Sequence, residues 1–559
     1  MSDLGLQIDG QKVKLHNSLL TIAFSAEGKA TSLIYKGQEL LNNLDGEPHD
    51  PDRYNSFYCD YHVQGGTKNI QPNKLEVIEN SAQRIHVAYI DDQHPLGVAY
   101  HLLLESNQSL IHSYVKAWNN SDEEYEINEF RTVYRLDPHL FNIGFNAERI
   151  GHQPTSEHML KGKKLQDETY DLLDGSFYSN SHIYSKYDYA GYFKDNPFWG
   201  QFGTKYGFWF IPVNTAYYGS GPLNQDLLLH YDGLILNYMC SEHFGKGLFK
   251  IPVGWSKVYG PWCIYINDAT DLLQDAQECA LHEQEQWPYQ WMNETGYSKN
   301  VVDVYGQLQV NNKQPDQQFT VVLAKQQATD GYYLQQKAGF TFYSQTDEQG
   351  NFVIKNVIPD EYTLYAYSNG GSYIGDYHWD GLQINQDRNL GNFNIQNRNS
   401  KIIWQIGTAS HTSKGFKFSD QLRNYIWKDA VPNNLTYTID DSTSEWYYLQ
   451  NNTGTWQIEF SGDKLEPNKS VELAIAFAGV TQKDMTDHTG PSVQLFLNNK
   501  LLKKCTFIND RAAYRSALLS GLYQYVIVKI PRAEIMAGIN KLAIKTNGYL
   551  IYDSIVMRQ

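Results

Sequence analysis

At 559 residues the chain is too long for one ordinary core, so several domains are expected. Charged residues make up 19% and hydrophobic residues 41%, a balance that excludes a disordered chain, and a net charge of −16 excludes general binding to nucleic acid or to anionic membrane surfaces. By the same token, any polyanionic ligand must be met by a local cluster of Lys and Arg.

Tyr is abundant, with 42 copies beside 12 Trp, which favours β structure and aromatic-rich surfaces. Sugar faces stack on such rings, but a β-rich fold uses Tyr in its strands in any case, so composition leaves both readings open. The five cysteines, Cys59, Cys240, Cys263, Cys279 and Cys505, show no C-x-x-C pair and no zinc spacing, and their odd number leaves at least one thiol unpaired. There is no basic stretch leading into an apolar run and no apolar segment of bilayer length, so no membrane association is expected. The protein is then either secreted, with its signal peptide removed, or cytoplasmic.

In chain order, the runs Leu19–Phe24, Arg84–Tyr89 and Leu110–Trp118 are rich in β-favouring residues between Gly, Asn and Asp turns, and predict an extended antiparallel sandwich. Tyr206–Val213 reads as a further core strand. Residues Asp268–Glu285 predict a helix, with acidic residues in its first turn and Pro288 after it, closing a first domain of residues 1–296. Short punctuated strands then begin at Val301–Leu308 and continue through Gly350–Val357 and Tyr362–Tyr367, predicting a small fibronectin type III-like sandwich over 297–397. From Ile402–Gly407 to the closing run Gly548–Val556 the pattern suits a jelly roll of carbohydrate-binding-module type over 398–559, which either binds glycan or buttresses its neighbour. The fold class is therefore all-β.

The densest polar and aromatic punctuation falls between Tyr184 and Gly260. It comprises Tyr184-Ser-Lys-Tyr-Asp-Tyr-Ala-Gly-Tyr192, Tyr217-Tyr-Gly-Ser-Gly-Pro-Leu-Asn-Gln-Asp226, Leu236-Asn-Tyr-Met-Cys-Ser-Glu-His-Phe-Gly-Lys-Gly247 and Lys257-Val-Tyr-Gly-Pro-Trp262. With Glu129-Phe-Arg-Thr-Val-Tyr-Arg135, the Gly350–Val357 strand and Trp404-Gln-Ile-Gly407, these runs resemble the rhamnogalacturonan lyases of polysaccharide lyase family four, in order and along essentially the whole chain. The resemblance implies a large catalytic β-sandwich, a fibronectin-like middle domain and a C-terminal jelly roll. It implies cleavage of the rhamnose to galacturonic acid bond of rhamnogalacturonan I, as polymer or oligosaccharide, by β-elimination of endolyase type. It places the catalytic lysine at Lys186, the catalytic histidine at His243, an active-site tyrosine at Tyr238 and substrate-binding arginines at Arg131 and Arg135, whose spacing also puts both on one face of a strand.

The chemistry needs those residue types. Removing the proton at C5 of a galacturonate builds charge beside a carboxylate, and arginine forks are suited to hold that carboxylate. Lys186 is the preferred base if it is neutral at the moment of reaction, a state that partial burial and neighbouring arginines would favour. His243 is an acid or a second base, and Tyr238 can protonate the leaving oxygen. Asp226 is either a second carboxylate that orients these groups at the substrate or the cap of a turn, and Arg131 or Arg135 has a rival role in pairing with Glu129 or Asp137. No acidic calcium-loop spacing occurs, so no cofactor or metal is expected in catalysis, while a structural calcium stays open. The cationic cluster has candidates in Arg131, Arg135, Arg149, Lys161, Lys163, Lys164, Lys186 and Lys194. A monomer is expected. The rival functions are a non-catalytic pectin-binding protein and a glycoside hydrolase, which would need a pair of carboxylates.

Overall fold

The computed structural model describes residues 4–41, 54–173, 178, 181–245, 247–311, 317–325, 336–396 and 400–559. Among them the fold is all-β, and the one helix longer than two turns is Leu272–Glu285. It starts later than the acidic run suggests because Asp271 is the residue that caps it, accepting from Gln274 N at 3.0 Å, whereas Asp268 pairs with Lys36 at 2.7 Å. All five cysteines are free thiols.

The chain folds as two compact units. One takes residues 1–242, 247–301 and 327–341, the other 243–246, 302–326 and 342–559. In the first, a nine-stranded antiparallel sheet has at its centre the strands Gly207–Pro212, Ser256–Asn267, Leu110–Asn119 and Leu96–Glu105. A five-stranded sheet carries Glu129–Arg135 in its middle, between Tyr58–Val63 and Leu234–Cys240. Alternate residues of that central strand point inward: Phe130 meets the Tyr259 ring edge-on at 5.6 Å, and Tyr134 packs against Phe57 at 4.8 Å while accepting a hydrogen bond from Trp262 Nε1 at 2.7 Å. These rings belong to the large apolar core filled from both sheets.

In the second unit, residues 302–395 form one sheet of three strands and one of four, with a parallel pair between Val302–Val310 and Arg388–Ile395. Residues 402–558 form two five-stranded sheets, one of them built around Val471–Gln482 and Gly548–Arg558 and the other around Trp456–Ser461 and Ile539–Thr546. The strands expected at Ile402 and Gly548 are both present.

The long helix is tied to the nine-stranded sheet by a buried polar knot. His112 and Cys263 are cross-strand neighbours, and both converge on one carboxylate oxygen of Glu283 from the helix, His112 Nε2 at 3.0 Å and Cys263 Sγ at 3.6 Å. The Tyr289 hydroxyl donates to the same oxygen. These are, among the described residues, the one trio of metal-ligating side chains that lie together. The carboxylate oxygen itself stands at their focus, which is the geometry of a hydrogen-bond knot. Burial works against the charge on Glu283, but the hydrogen bonds from His112, Tyr289 and Cys263 and the attraction of His112 outweigh it and hold its carboxyl below the usual value.

A depressed carboxyl contributes stability that is present above its unfolded value of about 4.3 and is lost as pH falls through the lower folded value. Glu283→Gln should therefore unfold more easily at neutral pH, by about 3 kcal/mol, since it breaks a buried pair. In denaturant titrations at a series of pH values the gap between wild type and variant should close below about pH 4. A gap that stays constant with pH would rule out this role for Glu283.

Candidate active site

The outward face of the five-stranded sheet is the floor of a cavity of about 130 Å³. Period-two alternation brings Arg131, Val133 and Arg135 to it from the central strand and Leu234, Leu236 and Tyr238 from the next, with Tyr58 from the other side. Arg131 and Arg135 thus share a face, as their spacing predicts. Arg131 stands opposite both Asp60 and Tyr238 in the strand register. Its guanidinium grips Asp60 through two bonds, Nε to Oδ1 at 2.7 Å and Nη2 to Oδ2 at 3.0 Å, and donates through Nη1 to the Tyr238 hydroxyl at 2.8 Å. Its close counter-ion is Asp60; the Glu129 charge adds to the pull on it, and Glu129 also faces His62 at 3.2 Å. Arg135 is buried and reaches the Tyr58 hydroxyl from Nη2 at 3.3 Å.

The walls bring Lys186, Glu168, Leu227, His230, Tyr231 and Asp232. Lys186 opens the 3-10 turn Lys186–Tyr189, whose start is fixed by a capping box in which Ser185 and Asp188 bond reciprocally to the backbone. Its Nζ lies 3.3 Å from a carboxylate oxygen of Asp167 and 3.3 Å from one of Glu168. Arg131 and Arg135 share the cavity with this amine, but two carboxylates lie 3.3 Å from it.

Burial dominates the titration of the floor. It pushes the Tyr238 phenol well above its ordinary value, and the opposing pull of Arg131 does not cancel it, so Tyr238 keeps its proton. Burial also works against the charge of Arg131, but Asp60 and Tyr238 more than offset it. Glu168 is held well below the usual carboxylate range: its burial is outweighed by the charges of Lys186 and His230 and by hydrogen bonds from His230 and Tyr231.

Four of the six residues singled out in the sequence therefore meet at one cavity: Arg131, Arg135, Lys186 and Tyr238. Asp226 is buried in the strand Gln225–Leu227, outside that lining, where Ser241 Oγ donates to it at 2.5 Å and Leu227 N at 2.9 Å. His243 is buried in the short segment 243–246 that belongs to the second unit, and its carbonyl accepts from Arg515 Nη1 at 2.9 Å. Of the eight candidate cations, Arg131, Arg135 and Lys186 line the cavity, while Arg149, Lys161, Lys163, Lys164 and Lys194 do not. Lys161 pairs with Glu157 one helical turn away at 2.8 Å, and Arg149 is buried 3.9 Å from Asp188.

Sequence reasoning missed Asp60, Glu168 and His230. The run Tyr58-Cys-Asp-Tyr-His-Val63 reads as a strand with one acid on an otherwise apolar or aromatic stretch, and that lone acid was the available sign of a distant cationic partner. Glu168 and His230 carried no such sign.

Two family models match the chain. One, described as polysaccharide lyase family 4, domain II, covers residues 316–390; the other, described as domain III of the same family, covers residues 402–557. The chain is 34% identical over 562 residues to the rhamnogalacturonate lyase of Dickeya dadantii, spanning 99% of this chain and 94% of that protein. It is 25% identical to a probable rhamnogalacturonate lyase B of Aspergillus terreus, over 85% of this chain and 81% of that one. With rhamnogalacturonate lyase B of Emericella nidulans it shares 23% identity over 84% and 80%. A multidomain all-β chain with these matches is a polysaccharide lyase. It belongs to polysaccharide lyase family 4.

The clamp on Arg131 yields a stability test. Asp60→Asn leaves a buried guanidinium without its counter-ion and should lower unfolding free energy by about 3 kcal/mol in denaturant titration. The double variant Asp60→Asn with Arg131→Met should recover part of that loss, because no unpaired charge remains. If the two losses simply add, the pair is not coupled.

Proposed function

We propose that the chain is a rhamnogalacturonan endolyase that cleaves the rhamnose to galacturonic acid bond of rhamnogalacturonan I by β-elimination and leaves an unsaturated galacturonosyl end. The observation that carries this reading is the convergence of Arg131, Arg135 and Lys186 on one cavity beside a protonated Tyr238, in a chain whose net charge is −16. It supplies the cationic hydrogen-bond donors that the carboxylates of an acidic polymer need.

In this reading Arg131 and Arg135 hold the galacturonate carboxylate and neutralise the charge that grows beside it as the C5 proton leaves, so side chains fill the role that many lyases give to calcium. Lys186 takes that proton. The electron pair forms the C4–C5 double bond and expels the oxygen at C4, which receives a proton from Tyr238. The family resemblance gives His243 a part in proton transfer as well. The enzyme acts as a monomer on secreted terms, meeting the polymer outside the cell.

Incubation with de-esterified rhamnogalacturonan should release products with the ultraviolet absorbance and mass of unsaturated uronates. Saturated ends would instead mark a glycoside hydrolase, and binding without product would mark a pectin-binding protein. Lys186→Ala and His243→Ala should each lower kcat by about 10²- to 10⁴-fold, the usual weight of a proton-transfer group. Arg135→Ala should chiefly raise KM. Full activity in both proton-transfer variants would sink the assignment.

A further inference from the structure

Glu168 and His230 are among the titratable groups of the cavity that this reaction does not use. Glu168 sits at the tip of a hairpin between the strands Lys163–Gln166 and Thr169–Asp171, with a backbone φ of +39°, left-handed for a residue that is not glycine. Such a conformation is unfavourable by itself and persists where the surroundings demand it. Thr169 pairs with Ser185 in the ladder, and the next step is a hydrogen bond from Lys186 N to the Glu168 carbonyl at 3.1 Å. Backbone register thus sets Glu168 directly against Lys186. Its side chain then spans the wall: Oε1 lies 3.3 Å from Lys186 Nζ, while Oε2 accepts from His230 Nε2 at 2.6 Å and from the Tyr231 hydroxyl at 3.1 Å. His230 is itself anchored, with Nδ1 3.2 Å from the Tyr231 carbonyl.

We propose that Glu168 is the positioning residue of the lyase centre, its carboxylate held on one side by His230 and Tyr231 so that the other side fixes the Lys186 amine and stabilises the ammonium formed when Lys186 takes the C5 proton. The proposal rests on the lyase reading above. As the C5–H bond breaks and the N–H bond forms, positive charge grows at Nζ, and a carboxylate fixed 3.3 Å away favours that charge more than a mobile solvent dipole does. The C5 electron pair becomes the C4–C5 double bond, and the C4–oxygen bonding pair departs with the oxygen, which takes the Tyr238 proton. Proton exchange through water between the Lys186 ammonium and the Tyr238 phenolate then restores both groups. The same anion carries a penalty: it raises the proton affinity of the free amine, so the enzyme gains its base form only at higher pH.

The charged and titratable groups around Lys186 are Asp167 and Glu168 at 3.3 Å, Tyr187, whose ring it overlies, and, lining the same cavity, Tyr58, Arg131, Arg135, Tyr238, His230, Tyr231 and Asp232. Glu168→Gln removes one charge from this set and keeps the shape and an acceptor. Measured by ultraviolet product release, its kcat should fall about 10- to 100-fold with KM within about threefold, the pattern of lost positioning. The limb of the kcat/KM profile that rises with pH should move to lower pH by roughly one unit. A purely structural role would lower thermal stability without moving that limb. Glu168→Asp should restore part of kcat, and if the Gln variant does not fold, His230→Gln should show the same fall in kcat to a smaller degree. A Glu168→Gln enzyme with kcat within about twofold of wild type and an unmoved limb overturns the proposal. Wild type that forms no unsaturated product sinks the lyase reading, whereas wild type that turns over alongside an equally active Glu168→Gln sinks this inference alone.

Discussion

The Glu129–Arg135 strand must satisfy two environments at once, because neighbouring residues on a strand point to opposite faces. Phe130 and Tyr134 go into the aromatic core; Arg131 and Arg135 go to the cavity. A slip of one residue would bury both guanidiniums among rings and expose the rings, so register is strongly fixed. The Asp60–Arg131–Tyr238 bonds run across three adjacent strands and add a polar lock to that apolar constraint. The two arginines of the site are consequently part of the sheet, held by its hydrogen-bond ladder, while Lys186 comes from the capped turn in the wall.

Much of this was legible in the sequence, for identifiable reasons. Period-two patterns located the strands, and an i, i+4 spacing on a strand was enough to place Arg131 and Arg135 together. The ordered motifs picked out Lys186 and Tyr238. What could not be read were partners brought in from afar: 71 positions separate Asp60 from Arg131, and 62 separate Glu168 from His230. No local pattern encodes such a meeting. The helix start was misplaced because two acids near its N-terminus compete for one cap, and only the fold assigns Asp268 to Lys36. The cation list failed in the same way. Lys161, Lys163 and Lys164 are close to Lys186 in number, but they lie off the cavity.

The two ends of the buried polar inventory show different uses of one device. At Glu283 three donors converge on a carboxylate oxygen far from the cavity lining and fasten a helix to a sheet. At Glu168 the donors are divided between two oxygens, and one side faces the Lys186 amine. Convergence on one atom makes a static anchor. Division across two makes a bridge, through which the state of one partner is felt by the other.

The free cavity is already internally compensated, since Arg131 is matched by Asp60 and Lys186 by Asp167 and Glu168. A carboxylate that enters this cavity must share donors with those already in place, and does not fill a bare positive hole. Discrimination among anions at such a cavity rests on how well a carboxylate imitates the aspartate or glutamate already in place, which ties recognition to shape and donor geometry.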